Sequence, residues 1–347
     1  MRQFKIAVYP GDGIGVEVTE QAVRVLTAVT DRLALTTLPW SVAQYENTGR
    51  LVPEDYLEQL KPHDAILLGA LGWPAKVPDH LSLVPIIRMR QTFDQYACVR
   101  PAQLFSGVCC PLANKTPKDI DFVVIRENSE GEYVSLGGRF KIGQPEESAL
   151  EAAVHTRLGV ERVLRFGFEL ARTRRRHLTM ITKSNALKHG FVMWDEVFEE
   201  VRARYPDVQS DKQHVDAASM NFVRRPEFFD VVVASNLFGD ILTDLGGVIA
   251  GGLGLAASAN INPERKFPSM FEPVHGSAPD IAGKGIANPT AAILSAGMML
   301  EFLGLREAAG AIQKAVERTL GEGLGTPDLG GKLNTAQLAD EIIRRLK

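Results

Sequence analysis

The sequence predicts an α/β protein, and three observations carry that prediction. Short apolar runs of strand length alternate with longer helical patterns along the 347 residues. Two of the runs lead through a glycine-containing turn directly into a helical pattern, at Pro10–Gly15 and at Ser235–Leu245. No internal repeat and no low-complexity linker breaks the pattern, so a second domain would be woven into the first.

Taken in order, Phe4–Tyr9 reads as the first strand and Gly15–Arg32 as the helix after it. Glu54–Leu60 fits a short helix before the strand Ala65–Gly69. Strand Phe122–Arg126 is followed by the polar stretch Glu130–Gln144, which is expected to form an arm or hairpin crossing to a partner subunit. Gly131, Gly137, Gly138 and Gly143 give that stretch its flexibility. Helix Glu161–Arg174 precedes strand Leu178–Thr182, and helix Phe191–Arg204 precedes strand Val231–Ser235. Helices Pro289–Leu303 and Thr335–Leu346 complete the pattern. The run Arg172–His177 ends a helix, where cations suit the dipole, and reads as a solvated helix end.

Composition bounds the class. Hydrophobic residues make up 45% and charged residues 23%, as in a water-soluble globular protein with a sizeable core. A net charge of −3 draws the chain neither to nucleic acid nor to an anionic membrane. Cys98, Cys109 and Cys110 show no metal spacing, and an odd set with an adjacent pair is a poor disulfide framework, so a reducing cytoplasm is expected. The start, Met1–Pro10, runs into a strand pattern with no signal-peptide core. The longest apolar stretch, Ala291–Leu305, contains Ser295 and Glu301 and is too short to span a bilayer.

The most informative pair is Asp240 and Asp244. Four residues apart on a helix, they share one face, with Cβ atoms about 5–6 Å apart. Carboxylates that close repel unless a cation lies between them, and all-oxygen ligands suit Mg²⁺ or Mn²⁺; the alternative is a solvated acidic pair. The loop Pro10-Gly-Asp-Gly-Ile-Gly15 occupies the place of a dinucleotide fingerprint, yet its spacing fails, because Val16 stands where the third glycine belongs. A tight turn that sets Ile14 near a ligand is the other reading. Phe271–Pro289 is more specific: the alternative is a surface Ω-loop, but its length and the lack of an apolar run between Pro273 and Gly285 favour a binding loop. Gly276, Ser277 and Ala278 would let backbone N–H groups approach a phosphate, and Asp280 would accept from a ribose diol and repel a 2′-phosphate, favouring NAD over NADP.

Arg90, Arg100 and Arg126 supply guanidinium groups, which bind carboxylates bidentately, and three of them imply a polyanionic substrate, although each taken singly is more often a surface ion-pair partner. Arg126 and Lys183 each end an apolar strand. A lysine beside a bound cation has a depressed pKa and serves as a base. Tyr133 and Asp216 complete the set; singly, Tyr133, Lys183 and Asp216 are each more often structural.

Together these motifs resemble the metal-dependent decarboxylating dehydrogenases of 2-hydroxy acids, the isocitrate/isopropylmalate dehydrogenase family. The resemblance runs from Pro10 to Asp328 and rests on Arg-x₉-Arg-Pro, Glu-Asn-x-Glu-Gly-Glu-Tyr, Lys-x-Asn, Asn-Leu-Phe-Gly-Asp-x-x-x-Asp and His-Gly-Ser-Ala-Pro-Asp. It implies an isopropylmalate dehydrogenase-like two-domain fold with a non-Rossmann cofactor site and an interlocking dimer arm. The implied division is a large cofactor-binding domain of residues 1–98 and 250–347 and a small domain of residues 99–249. It implies that Arg90, Arg100 and Arg126 clamp the substrate and that Asp216, Asp240 and Asp244 hold Mn²⁺ or Mg²⁺, with K⁺ as a further candidate cofactor. Lys183 would take the hydroxyl proton and Tyr133 would return one. Ile14, Asn185, Glu272, His275, Gly276, Ser277, Ala278, Asp280, Asn288 and Asp328 would line the NAD site. Members are homodimers whose sites borrow Lys183 and Asp216 from the second subunit.

The resemblance also bears on the substrate. Gly69–Pro74, Val77–Ser82, Phe93–Tyr96 and Ser135–Gly138 are most similar to tartrate and D-malate dehydrogenases. The loop His80–Arg90 is a residue short for that group, with Val84-Pro85 in place of a Trp-Gly pair. The expected substrate is a small (R)-2-hydroxy diacid, D-malate or tartrate. The alternatives are 3-isopropylmalate and, in a non-catalytic regulatory subunit, ligand binding alone.

Overall fold

The computed structural model describes residues 2–346. The strands are β1 (Phe4–Gly11), β2 (Leu33–Thr37), β3 (Ala65–Ala70), β4 (Ala97–Gln103), β5 (Asp121–Glu127), β6 (Gly137–Phe140), β7 (Ser148–Glu151), β8 (His177–Thr182), β9 (Gln209–His214), β10 (Val231–Ala234), β11 (Ala257–Ile261) and β12 (Ser269–Pro273). Among the described residues ten of them form one sheet in the order β2-β1-β3-β12-β11-β4-β5-β10-β8-β9. Its two wings are parallel, and the middle, β12-β11-β4-β5, is antiparallel. One wing draws on both ends of the chain and the other on its middle.

Side-chain alternation shows that both faces of each wing are covered. Ile6, Val8 and Leu67 enter one core with Val18, Ile293 and Ile312. Their neighbours Ala7, Tyr9, Ile66 and Leu68 enter another with Trp40, Tyr56 and Met89. In the second wing Ile125, Met180 and Val233 pack with Val163, Phe168 and Trp194, while Val124, Ile181 and Val232 pack with Phe222 and Phe229. A strand buried on both faces must be apolar throughout. That is why β3 (Ala-Ile-Leu-Leu-Gly-Ala) and β10 (Val-Val-Val-Ala) are unbroken runs.

The expected arm is a two-stranded antiparallel hairpin of β6 and β7, longer than the expected stretch because it continues to Glu151. Every residue of both strands is exposed, Phe140 and Leu150 at 67% each. Two expectations need correction. The first long helix is Ile14–Val29, shorter than Gly15–Arg32, because Leu33 already begins the edge strand β2. The arginine run is not simply a solvated helix end. Arg174 donates to Asp121 and to the buried Asp230, each at 2.8–2.9 Å, and so fastens the helix end beneath β5 and β10.

Candidate active site

Arg126 is the centre around which the site is built. It stands near the end of β5, 2% exposed, where a buried guanidinium needs polar partners. Its Nε donates to Asn236 Oδ1 at 2.8 Å and its Nη1 pairs with Asp240. Both partners come from helix Asn236–Ile249, which starts directly after β10. Gly239 lets that helix approach, since a Cβ there would lie 2.7 Å from the Arg126 Cβ. Arg100, which pairs with Val124 two residues before Arg126 in the β4–β5 register, donates to Thr243 Oγ1 at 2.7 Å and to Asp240 at 3.3 Å. Arg90, near the end of helix Val84–Thr92, pairs with Glu272 at 2.8 Å. Each arginine leaves one terminal nitrogen, Nη1 of Arg90 and Nη2 of Arg100 and Arg126, without a hydrogen-bond acceptor among the described residues.

These groups wall a cavity of about 240 Å³. Tyr133 lies on the short 3₁₀ turn Glu132–Val134 and donates its hydroxyl to Asp240 Oδ2 at 3.0 Å. Burial, then the Asp240 charge, raises its pKa, so the phenol holds its proton at neutral pH. Burial also pushes the Asp240 carboxyl up, but Arg126 and Arg100 outweigh it and leave the group below the ordinary carboxylate value. Asp244, one turn further along, makes no ion pair among the described residues. Burial raises its pKa; Arg100 acts against that and the Asp240 charge adds to it. An anionic Asp240 beside an unpaired, charge-strained Asp244 is a donor set that fits a hard divalent cation.

The third expected ligand is elsewhere. Among the described residues no three His, Cys, Asp or Glu side chains converge within one chain. Asp216, in helix Val215–Arg224, accepts from Lys183 Nζ at 2.7 Å, and neither residue lines the cavity. The Lys183 bond holds the Asp216 carboxyl below its usual range. Asp195 fixes the turn that carries this lysine, accepting from Thr182, Ser184 and Lys212. Asn185 is exposed on the same turn and is likewise not a wall of the cavity.

The glycine loop is a packing device. Ile14 N–H is spent on the Ser277 carbonyl at 2.8 Å, so the helix start faces the second loop. A Cβ on Gly13 would lie 2.0 Å from that carbonyl. Ser277 is buried, and Ala278 takes the left-handed region at φ 37°. His275 and Gly276 close the cavity with Glu272. Burial lowers the His275 pKa, and its Nε2 is buried with no hydrogen-bond partner. Asn288 donates to Asp328 at 3.0 Å, and Asp280 is exposed at the loop's end. The orphaned His275 nitrogen beside an exposed glycine fits a polar cofactor lying along this loop.

Sequence reasoning missed three supporting residues. Asn236 joins Arg126 to the Glu130 carbonyl at 2.7 Å, and so ties the arginine to the turn before Tyr133. Buried Glu127 accepts from Ser129 and Glu130 and shapes the same turn. Leu71 adds to an apolar wall with Leu83, Ile86 and Ile87. Asn236 was within reach, because it sits inside the motif that carries Asp240.

Three arginines, a phenol and an acidic helix face thus meet in one strand-end cavity, and comparison with known proteins places the chain that carries it. The isocitrate/isopropylmalate dehydrogenase profile matches residues 5–342, and the chain belongs to that family. It is 51% identical over 356 residues to the D-malate dehydrogenase (decarboxylating) of Escherichia coli K12, covering 99% of each chain. It is 50% identical over 352 residues to the tartrate dehydrogenase/decarboxylase of Pseudomonas putida, covering 98% of this chain and 96% of that one. Among solved structures, isocitrate dehydrogenase from Methylococcus capsulatus superposes with a TM-score of 0.91 at 38% identity, over 100% of this chain and 99% of that one.

Proposed function

We propose that the protein catalyses the NAD-dependent oxidative decarboxylation of a small (R)-2-hydroxy dicarboxylic acid, D-malate or tartrate, with Mn²⁺ or Mg²⁺. The carrying observation is the meeting of Arg90, Arg100, Arg126, Tyr133, Asp240 and Asp244 in one cavity. In this reading the enzyme is a cytoplasmic homodimer with a large domain of residues 1–98 and 250–347 and a small domain of residues 99–249. The exposed β6–β7 hairpin serves as its interlocking arm, and Lys183 and Asp216 complete the neighbouring subunit's site. Relatives of half-identical sequence named for D-malate and tartrate support the substrate class.

Asp240 and Asp244, with Asp216 of the neighbouring subunit, would hold the divalent cation, which would supply Lewis-acid polarisation of the substrate hydroxyl and its adjacent carboxylate, and NAD would supply the hydride acceptor. The chain's own residues do the rest. The unused guanidinium nitrogens of Arg90, Arg100 and Arg126 hold the two carboxylates and fix their orientation. The Lys183 amine takes the hydroxyl proton. Tyr133 Oη, kept protonated by burial and by Asp240, returns a proton to carbon after CO₂ has left. Asp280 favours NAD by repelling a 2′-phosphate.

One observation favours a second reading. Leu71, Leu83, Ile86 and Ile87 make one wall apolar, which suits the branched substituent of 3-isopropylmalate. A substrate panel with NAD⁺ and Mn²⁺ separates the two. The first reading expects kcat/KM for D-malate or tartrate to exceed that for 3-isopropylmalate, and the reverse order rejects it. With the preferred substrate, Asp280→Lys should narrow the preference for NAD over NADP; equal use of both by the wild type removes Asp280 from cofactor choice.

A further inference from the structure

A second pocket lies at the opposite end of the sheet from the active cavity. It has a volume of about 230 Å³ and sits where β1, β3 and β12 begin, among Phe4, Asp64 and Pro268. Those three strands run parallel, and the far ends of β3 and β12, at Ala70 and Pro273, are walls of the active cavity. Ligands of open α/β sheets gather at the carboxyl ends of strands, so a pocket at the amino ends needs its own account.

Its charge gives that account. Arg2, Lys61, Arg265 and Lys266 all line it, against a single carboxylate, Asp64. Asp64 is already committed, to Arg2 and to the Lys5 backbone N–H at 2.8 Å. Arg265 and Lys266 have no acidic partner among the described residues. In a chain whose net charge is −3, this concentration of positive charge is local. Arg2 is paired with Asp64 and Lys61 with Glu58, whereas Arg265 and Lys266 are held in place without an ion pair among the described residues. Arg265 lies over the Phe302 ring at 4.5 Å and Arg2 over Phe4 at 5.4 Å, so aromatic faces orient the guanidinium groups. Arg265 takes the left-handed region at φ 55°, a conformation that costs energy in a side-chain-bearing residue. Asn262 secures it, its carbonyl accepting from Arg265 N–H at 3.0 Å and its Oδ1 from Lys266 N–H at 2.8 Å. Two preset, unpaired cations, Arg265 and Lys266, beside the paired Arg2 and Lys61 around a concave space leave the excess positive charge that a multiply charged anion requires.

We propose that this pocket binds an oligophosphate anion, free or carried by a nucleotide. The test uses the full-length enzyme without added divalent cation, since pyrophosphate would chelate it. Isothermal titration at fixed ionic strength compares pyrophosphate, ADP and sulfate. Pyrophosphate should bind more tightly than sulfate, and the double substitution Arg265→Gln with Lys266→Gln should weaken it by about tenfold or more. Lys61→Gln, on a different element, should weaken it as well. Arg90→Gln, in the active cavity, should leave it unchanged. ADP binding that is tighter than pyrophosphate and is weakened by the Arg265/Lys266 substitution identifies a nucleotide as the source of the phosphate, and ADP binding untouched by that substitution, or no tighter than pyrophosphate, identifies the free anion. Unchanged affinity in the Arg265/Lys266 variant, loss of affinity in Arg90→Gln, or equal binding of sulfate and pyrophosphate would each overturn the proposal. Both substituted turn residues are exposed, and an unchanged circular dichroism spectrum checks the fold.

Discussion

Two cation–carboxylate pairs in this chain carry residues that the sequence marks as functional, and they live under different conditions. Arg126–Asp240 is built in: the arginine side chain is 2% exposed, and Asp240 also receives Arg100 and Tyr133. Lys183–Asp216 lies open, at 26% and 63% exposure, with one contact of 2.7 Å between the two. A group with three partners is fixed by the fold before any ligand arrives. A group with one partner at the surface can change partners cheaply, because water replaces the lost contact. In the proposed reading one chain finishes the substrate clamp and leaves the proton acceptor and the last carboxylate on its surface for a second copy.

The largest effects should come from the fixed pair. Asp240→Asn removes the charge opposite Arg126 and Arg100, so it should lower both turnover and stability. Loss of one partner of a buried pair costs about 3–5 kcal/mol, and the one-third exposure of Asp240 places this case near about 2–3 kcal/mol. Asp244→Asn removes a ligand of the proposed cation but no ion pair. Turnover should fall on the order of 10³-fold, with the melting temperature unchanged or higher, because the Asp244 charge is disfavoured where it stands. Chemical denaturation and Mn²⁺-dependent rates read the two effects separately. Equal stability loss in both variants would show that the acidic helix face is one structural unit.

Tyr133→Phe comes next. Phenylalanine keeps the ring beside Arg126 but removes the hydroxyl that points at Asp240. General acid catalysis contributes about 10²–10⁴-fold, so kcat should fall by that order while KM changes little. Reduction of oxaloacetate by NADH should persist, since it needs no proton delivered to carbon. Near-normal turnover of the hydroxy acid would assign Tyr133 to packing at the base of the hairpin.

The same contrast governs what could be read from sequence. Strands buried on both faces announce themselves as apolar runs, and β1, β3, β5, β8 and β10 were all legible. β9 (Gln-Ser-Asp-Lys-Gln-His) is an edge strand with no buried face to write into its sequence. β4 was hidden because it carries Arg100 for the site and Pro101, which lies past the last residue paired with β11. The helix bearing Asp216 was missed too, since it buries only Ala218 and Phe222. Site residues were legible where a charge ends an apolar strand, as at Arg126 and Lys183. Which of them meet was not legible, because Arg90–Glu272 and Arg126–Asp240 join residues 182 and 114 positions apart.

A mixing experiment tests the division of labour directly. Lys183→Ala and Asp240→Asn chains are each expected to be inactive. If sites are shared across a dimer, each heterodimer holds one site with neither lesion, and random exchange should restore roughly a quarter of wild-type activity. No recovery after verified subunit exchange would mean that each chain completes its own site.

The smallest effect on the fold is expected at Asp216. Asp216→Asn removes a surface charge with a single hydrogen-bonded partner, and exposed pairs contribute little to stability. Lys183 holds the Asp216 carboxyl below its ordinary value, which fixes the sign of any pH effect. A depressed carboxylate contributes stability that is present above its unfolded pKa and lost as pH falls through the folded one. At neutral pH that contribution is complete but small for an exposed pair, so the melting temperature without metal should lie at or only slightly below wild type, with no variant-dependent change between about pH 6 and 8. Mn²⁺ should then separate the two proteins. A ligand that binds only the folded state raises the melting temperature by mass action, and the variant should lose part of that rise because it offers the cation one charged oxygen fewer. A metal-free melting temperature as low as that of Asp240→Asn would identify Lys183–Asp216 as a structural staple, and the contrast between a fixed pair and an available one would not hold.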